Sequence, residues 1–275
     1  MNFPRARVAV IGGSGLYQLI DAPDLVEVAT PYSDAAVPLS LGDFAGEVVA
    51  FLPRHGGGHS VPPQQINYRA NIWALAWIGV RAIFASAAVG SLNPELRPDT
   101  FVVPDQLIDR TRGRADTFFD GADVQHLSFA DPFCPAVRQA LIAGLGQVDE
   151  RYAAEGTTVV IPGPRFSTRA ESRALRSLGG DIVNMTQYPE SALAAELGIG
   201  YASLAFVTDM DAGVAGGSGD DEAVTADAVM QRLFAARERM VAGIEAGIAQ
   251  LPADYQPRQL ITSDALARVL DRAAV

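Results

Sequence analysis

Short apolar runs rich in β-branched residues alternate with longer amphipathic stretches along the whole chain. This alternation limits the fold more than any other feature. Runs with strand character lie near residues 7–12, 37–42, 47–52, 82–89, 101–105, 157–162, 181–186 and 201–208. Helical periodicity occupies about 64–79, 134–145, 168–178, 189–197 and 222–250. The last is the clearest, with Val229, Leu233, Ala236, Met240, Ile244 and Ile248 at three- and four-residue steps. Interleaved strands and helices predict an α/β fold: a single domain with a central mixed, largely parallel sheet flanked by helices. Ligands in such folds sit beyond the carboxyl ends of the strands. The polar motifs of this chain fall there: GGSG after 7–12, RHGGGH after 47–52, NMTQYPE after 181–183 and TDMDAG after 201–207.

Composition narrows the chemistry. All 21 basic residues are arginine. Pyridoxal phosphate enzymes, Schiff-base aldolases and Walker NTPases need a lysine and are excluded. A single cysteine, Cys134, rules out an internal disulfide and a cysteine metal cluster. The three histidines, His55, His59 and His126, form no H-E-x-x-H motif. A net charge of −11 argues against a nucleic-acid backbone as partner, yet leaves room for a small anion held by local arginines. No run of 18 apolar residues spans a membrane, and MNFPRARVAV lacks a signal-peptide layout. These features predict a cytoplasmic protein. One domain is expected over residues 1–251, with a tail over 252–275 that has a helical pattern near 263–273. The glycine-rich acidic stretch 211–221 reads as a lid or lip.

Three segments carry candidate chemistry. Val8–Leu16 reads VAVIGGSGL, a buried strand followed by a sharp turn. Backbone amides with the Ser14 hydroxyl would cradle an anion; the alternative is a plain connecting turn. No lysine follows, so this is not a P-loop, and the spacing does not match G-x-G-x-x-G. Arg54 and His55, in PRHGGGH, would add bidentate donation to phosphate oxygens. Thr186, at a strand-to-helix boundary, is either an anion ligand or the helix cap. Asp209 and Asp211 share one side of an extended chain. They are a solvated strand end, a metal site extended by Asp220 and Asp221, or a buried pair facing a purine edge with one carboxyl protonated.

Taken in order, IGGSGL, PRHG, NYRANIWAL, VGSL, DRT, DPFCP, GPRFSTRAE, NMTQYPE and YASLAFVTDMDAG resemble the 5′-methylthioadenosine phosphorylase branch of the trimeric purine nucleoside phosphorylases, over about residues 6–250. The resemblance implies that Ser14, Arg54, His55, the Ala88 amide and Thr186 hold phosphate. Met185 would lie against the ribose and Phe166 on the purine. Asp209 and Asp211 would face N7 and the 6-amino group, with Asp211 helping to keep Asp209 protonated. Val224, Ala226 and Val229, on a helix expected to open at Glu222, would form the 5′ pocket. His126 would reach a neighbouring subunit's site in a homotrimer.

Two positions depart from the family pattern. Ala87 stands where a hydroxyl or thiol is frequent, and Gln187 where a smaller residue is common. The implied reaction joins a 5′-substituted adenosine and phosphate to give adenine and a ribose 1-phosphate, with no metal or organic cofactor. A general purine nucleoside phosphorylase, a calcium-dependent nucleoside hydrolase and a non-catalytic nucleoside-binding protein are the alternatives.

Overall fold

The computed structural model describes residues 5–214 and 224–273. Within them, eleven strands form one mixed sheet flanked by six helices. In chain order the strands are β1 (Val8–Gly12), β2 (Asp24–Thr30), β3 (Ser33–Phe44), β4 (Glu47–Pro53), β5 (Ala82–Ser91), β6 (Phe101–Val102), β7 (Gln106–Asp109), β8 (Tyr152–Ala153), β9 (Thr157–Val160), β10 (Ile182–Asn184) and β11 (Gly200–Met210). The helices are α1 (Tyr68–Trp77), α2 (Pro135–Gln147), α3 (Arg169–Ser177), α4 (Gln187–Glu196), α5 (Ala226–Ala249) and α6 (Ser263–Leu270).

The sheet branches at β5, and the branch makes the site. One edge of β5 runs parallel with β11 along its length, from Ala82 to Ser91. The other edge is shared. β1 pairs in parallel with Ala82–Ala85, and β10 pairs antiparallel with Gly90 and Ser91. Between these partners, Ser86–Val89 have no neighbouring strand on that edge. A gap opens there, at the carboxyl end of β1, as expected where strands diverge in an α/β sheet.

Strand alternation supplies two cores. Val8 and Val10 of β1, with Ala82 and Phe84 of β5, face α2 and α5. Ala9 and Ile11, with Ile83 and Ala85, face α1, α4 and α6. Beyond residue 251, Tyr255 joins the first of these cores and Ile261 and α6 join the second. Ala265 and Val269 of α6 are fully buried there, and Trp73 Nε1 donates to the Val269 carbonyl at 3.0 Å.

Three strands escape sequence reading: β2, β7 and β8. β2 lies at a sheet edge with mostly exposed side chains, and β8 has two residues. Helix α5 begins at Ala226, four residues after the expected Glu222. Thr225 sets the start, its hydroxyl accepting from the Ala228 amide. Glu222, Asp220, Asp221 and most of the expected lid lie outside the described residues.

Candidate active site

A cavity of about 400 Å³ fills the gap at β5. Its walls come from the turn after β1, the segment after β4, the end of β5, the chain before α3, the β10–α4 junction, the end of β11 and the first turn of α5.

One end is built from donors. Gly13 begins the turn after β1, and its amide donates to Ser86 Oγ at 2.8 Å. The expected nest of free amides is therefore reduced by one. Only glycine fits at this position, because a Cβ would lie 2.6 Å from the Ser86 carbonyl oxygen and 2.9 Å from Arg54 Nη1. Ser14 lines the cavity beside it.

Arg54 is fully enclosed, and its fork faces a carboxylate. Nε and Nη2 donate to Glu190 Oε1 and Oε2 at 2.8 and 2.7 Å, and Nη1 donates to the Ser86 carbonyl at 2.8 Å. Tyr201 Oη donates to the same carboxylate at 2.7 Å. Burial alone would lower the Arg54 pKa, but the Glu190 charge and hydrogen bonds more than offset this and raise it. The expectation that Arg54 offers its bidentate fork to an anion needs correction. Three of its five N–H donors are spent on protein, leaving one on each Nη.

His55 follows, with Nδ1 2.9 Å from the Val61 carbonyl oxygen. Burial and the Arg54 charge push its pKa down to about 4, against the Val61 bond. The ring is neutral near pH 7. His59 packs on it at a tilt, with centroids 4.3 Å apart, and also lines the cavity.

Thr186 is not the side-chain cap of α4. The Asn184 side chain does that work, its Oδ1 accepting from the Thr186 and Gln187 amides at 2.7 and 2.8 Å. The Thr186 hydroxyl keeps only a long 3.4 Å contact to the same oxygen and faces the cavity. Gln187 turns inward, fully buried, with Nε2 donating to Ser203 Oγ at 2.9 Å. Ala87 and Ala88 line the cavity wall.

The other end is built from acceptors. A register shift between Val207 and Asp209 re-aims β11 where it passes Gly90. A Cβ at Gly90 would lie 3.1 Å from Asp209 Oδ1, so this glycine makes room for the carboxylate. Thr208 Oγ1 donates to Asp209 Oδ2 at 2.6 Å, while Oδ1 is buried without a protein partner. Burial is the main reason the Asp209 pKa rises to about 6. The Thr208 bond opposes the rise and the Asp211 charge adds to it. Asp211 helps to keep Asp209 protonated, as expected, but burial contributes more.

Asp211 is held by Ser172 of α3, whose hydroxyl donates to Oδ2 at 2.5 Å. Burial raises its pKa, against the Ser172 bond. A capping box, Thr168 with Glu171, fixes the start of α3 and hence Ser172.

Phe166 and Met185 line the wall between the two ends. Arg114 ties their segments together, donating to the carbonyls of Pro162 and Met185 at 3.0 and 2.8 Å and of Tyr188 at 2.5 Å. The apolar side is Ala226, Val229 and Met230, at the i, i+3 and i+4 spacing of one helix face.

Eleven of the thirteen expected residues therefore meet in one cavity; Val224 and His126 do not. Val224 precedes the Thr225 cap, off the helix face that Ala226 opens, and Met230 takes the place expected of it. His126 is exposed, away from the cavity of its own chain. Sequence reading missed Ser86, Glu190, Asn184, Arg114 and Met230. Of these, Asn184 and Glu190 open and close the NMTQYPE motif and Met230 lies one step beyond Val229 on the helical pattern, while nothing local marks Ser86 or Arg114.

The chain's residues 7–242 match the family model described as "Phosphorylase superfamily". It is 53% identical over 213 residues to the S-methyl-5′-thioadenosine phosphorylase of Mycolicibacterium smegmatis, covering 77% of this chain and 80% of that one. It is 46% identical over 261 residues to the purine nucleoside phosphorylase of Streptomyces coelicolor, covering 92% and 91%. Among solved structures it is similar to a methylthioadenosine phosphorylase from Schistosoma mansoni in complex with adenine, with a TM-score of 0.85 and 35% identity over 97% of this chain and 98% of that one.

Proposed function

The chain belongs to the phosphorylase superfamily, and from that premise we propose that it is a pentosyltransferase cleaving 5′-methylthioadenosine with phosphate. The products are adenine and 5-methylthioribose 1-phosphate. One observation carries this reading: a donor cradle, a carboxylate pair and an apolar wall face one another across a single cavity of nucleoside size. The relatives' names divide between methylthioadenosine and general purine nucleoside substrates. The apolar wall of Ala226, Val229 and Met230, with no histidine between 222 and 250, favours the 5′-methylthio compound.

Phosphate binds at Ser14, Arg54, His55, the Ala88 amide and Thr186. The purine packs on Phe166 and the ribose on Met185. The C–N bond breaks toward a ribosyl cation, which the phosphate stabilises and then captures at C1′. The departing adenine gains electrons and takes a proton at N7. Thr208 occupies Asp209 Oδ2, so Oδ1 is the oxygen left to carry that proton. A pKa of about 6 leaves roughly a tenth of Asp209 protonated near pH 7, a workable acid population. Asp211, fixed by Ser172, accepts from the 6-amino group.

No step is assigned to a metal or organic cofactor; phosphate is the second substrate. In this reading His126, exposed on its own chain, completes the site of a neighbouring subunit in a homotrimer. A cytoplasmic location accords with the single, buried, unpaired Cys134. No helix among the described residues is long and apolar enough to cross a membrane. The test is product identity. Phosphorus NMR should show a sugar 1-phosphate ester forming one-for-one with adenine, whereas free methylthioribose would mark a hydrolase.

A further inference from the structure

Tetrahedral oxyanions of similar size differ in whether they carry a proton. Phosphate and arsenate keep at least one O–H near neutral pH; sulfate has none. His55 is built to read that difference. The Val61 carbonyl can only accept, so Nδ1 carries the ring proton and donates to it at 2.9 Å. Nε2 is left as a lone pair, with no protein partner among the described residues. The ring is held by this bond, and the His59 ring lies tilted against it with centroids 4.3 Å apart.

The charged and titratable surroundings favour the neutral ring. Arg54 precedes it on the same segment, with its charge matched by Glu190 of α4. His59 lies over its face, and burial lowers that histidine's pKa too. Tyr17 meets His59 edge-on. Tyr68 of α1 is buried, with its hydroxyl donating to the Pro63 carbonyl. Asp209 and Asp211 enter the cavity from the end of β11. The other groups at this end are donors: one N–H on each Arg54 Nη and the hydroxyls of Ser14 and Thr186. His55 Nε2 is one acceptor set among them.

We propose that His55 Nε2 selects oxyanions that bring a proton, so that the site takes phosphate and arsenate and rejects sulfate. This rests on the phosphorylase reading of the cavity. The O–H of phosphate donates to Nε2. Sulfate sets lone pair against lone pair there, and it binds well only when His55 takes up a proton.

The test is calorimetric titration of the enzyme with sodium sulfate, phosphate and arsenate between about pH 5.5 and about pH 8.5, in two buffers of different ionisation enthalpy. Sulfate keeps its charge across this range, so its binding reports the protein's titration. It should take up close to one proton, and its dissociation constant should rise about tenfold per pH unit. Near pH 8 it should bind roughly 10- to 100-fold more weakly than phosphate, with arsenate close to phosphate. His55→Ala should flatten the sulfate pH dependence and narrow the gap, while His59→Ala should retain both.

Sulfate that binds as tightly as phosphate near pH 8 without proton uptake would overturn the proposal. So would a pH slope that survives in His55→Ala. Should that variant fail to fold, the proton count of the wild type decides. Phosphate-independent adenine release would sink the phosphorylase reading itself; phosphate-dependent turnover with proton-free sulfate binding sinks only this role of His55.

Discussion

The two ends of the cavity are built on opposite plans. At the phosphate end the protein matches its own charges, while the buried Gln187 Oε1 and the second ring nitrogen of His55 keep no protein partner among the described residues. Arg54 is locked by Glu190 and Ser86, Glu190 by Tyr201, and Thr186 is freed because Asn184 caps the helix. At the purine end the protein leaves a charge-bearing atom waiting: Asp209 Oδ1 is buried with no partner. The first plan spends protein interactions on geometry. The second stores an unsatisfied group that a ligand completes, at a cost to the unliganded fold. Mutations at the two ends should therefore move stability in opposite directions.

The largest effect is expected at Glu190. Glu190→Ala leaves a buried guanidinium uncompensated, which costs ~3–5 kcal/mol. The melting temperature should fall by roughly 10 °C, and the KM for phosphate should rise more than the KM for the nucleoside. Calorimetry and initial rates check this. An unchanged melting temperature would show that the ion pair does not organise this end.

Asp209→Asn should do the reverse to stability while lowering activity. Its pKa in the folded chain lies above the unfolded value, so the folded state holds its proton more tightly. Asp209 favours folding most at low pH, and that contribution is lost as pH rises from about 4 through about 6. Above that window ionised Asp209 costs up to roughly 3 kcal/mol, which asparagine removes. The variant should melt higher, lose ~10²–10³-fold in kcat/KM for methylthioadenosine, and shift preference toward 6-oxopurines. In the wild type, kcat/KM for the nucleoside should fall about tenfold per pH unit above pH 6. A flat profile would remove Asp209 as the acid.

How much of this contrast is legible in the sequence follows from the range of each interaction. The strand-helix alternation and the Gly-rich turn are local, so β1, β5, β11 and α5 are readable, as are Ser14, Arg54 and the Asp209–Asp211 pair as candidates for the cavity lining. The pairing of Glu190 with Arg54 is not. The two sit 136 residues apart, and neither local pattern nor composition links them. Ser86 is likewise an ordinary strand residue until β1 is laid beside β5. Thr186 shows the same limit from the other side. As a boundary threonine it reads as a cap, and only the fold shows Asn184 holding those amides. β2, β7 and β8 are edge or two-residue strands, whose pairing is set by neighbours rather than by their own residues.

The apolar wall gives the next effect. A 5′-hydroxyl buried against Ala226, Val229 and Met230 without a partner costs ~1–3 kcal/mol, and a methylthio group gains ~0.8 kcal/mol per buried carbon. Methylthioadenosine should therefore exceed adenosine in kcat/KM by roughly ten- to several hundred-fold. A series of 5′-hydroxyl, 5′-deoxy, 5′-halo and 5′-methylthio adenosines measures it, and a best rate for the hydroxyl compound would mean that this wall does not read the 5′ group. The smallest effect is expected at Ser172. Ser172→Ala loosens Asp211 by one hydrogen bond, about 1 kcal/mol or roughly fivefold in the KM for the nucleoside, with phosphate affinity unmoved. An equal change in both would show that the two ends of the cavity are coupled.

The contrast between the ends presumes that both substrates occupy one cavity in one reaction. Initial rates of adenine release from saturating methylthioadenosine, measured from zero to saturating phosphate, test that presumption directly. The rate should be near zero without phosphate and rise hyperbolically with it. Adenine released at full rate in the absence of phosphate would contradict the account.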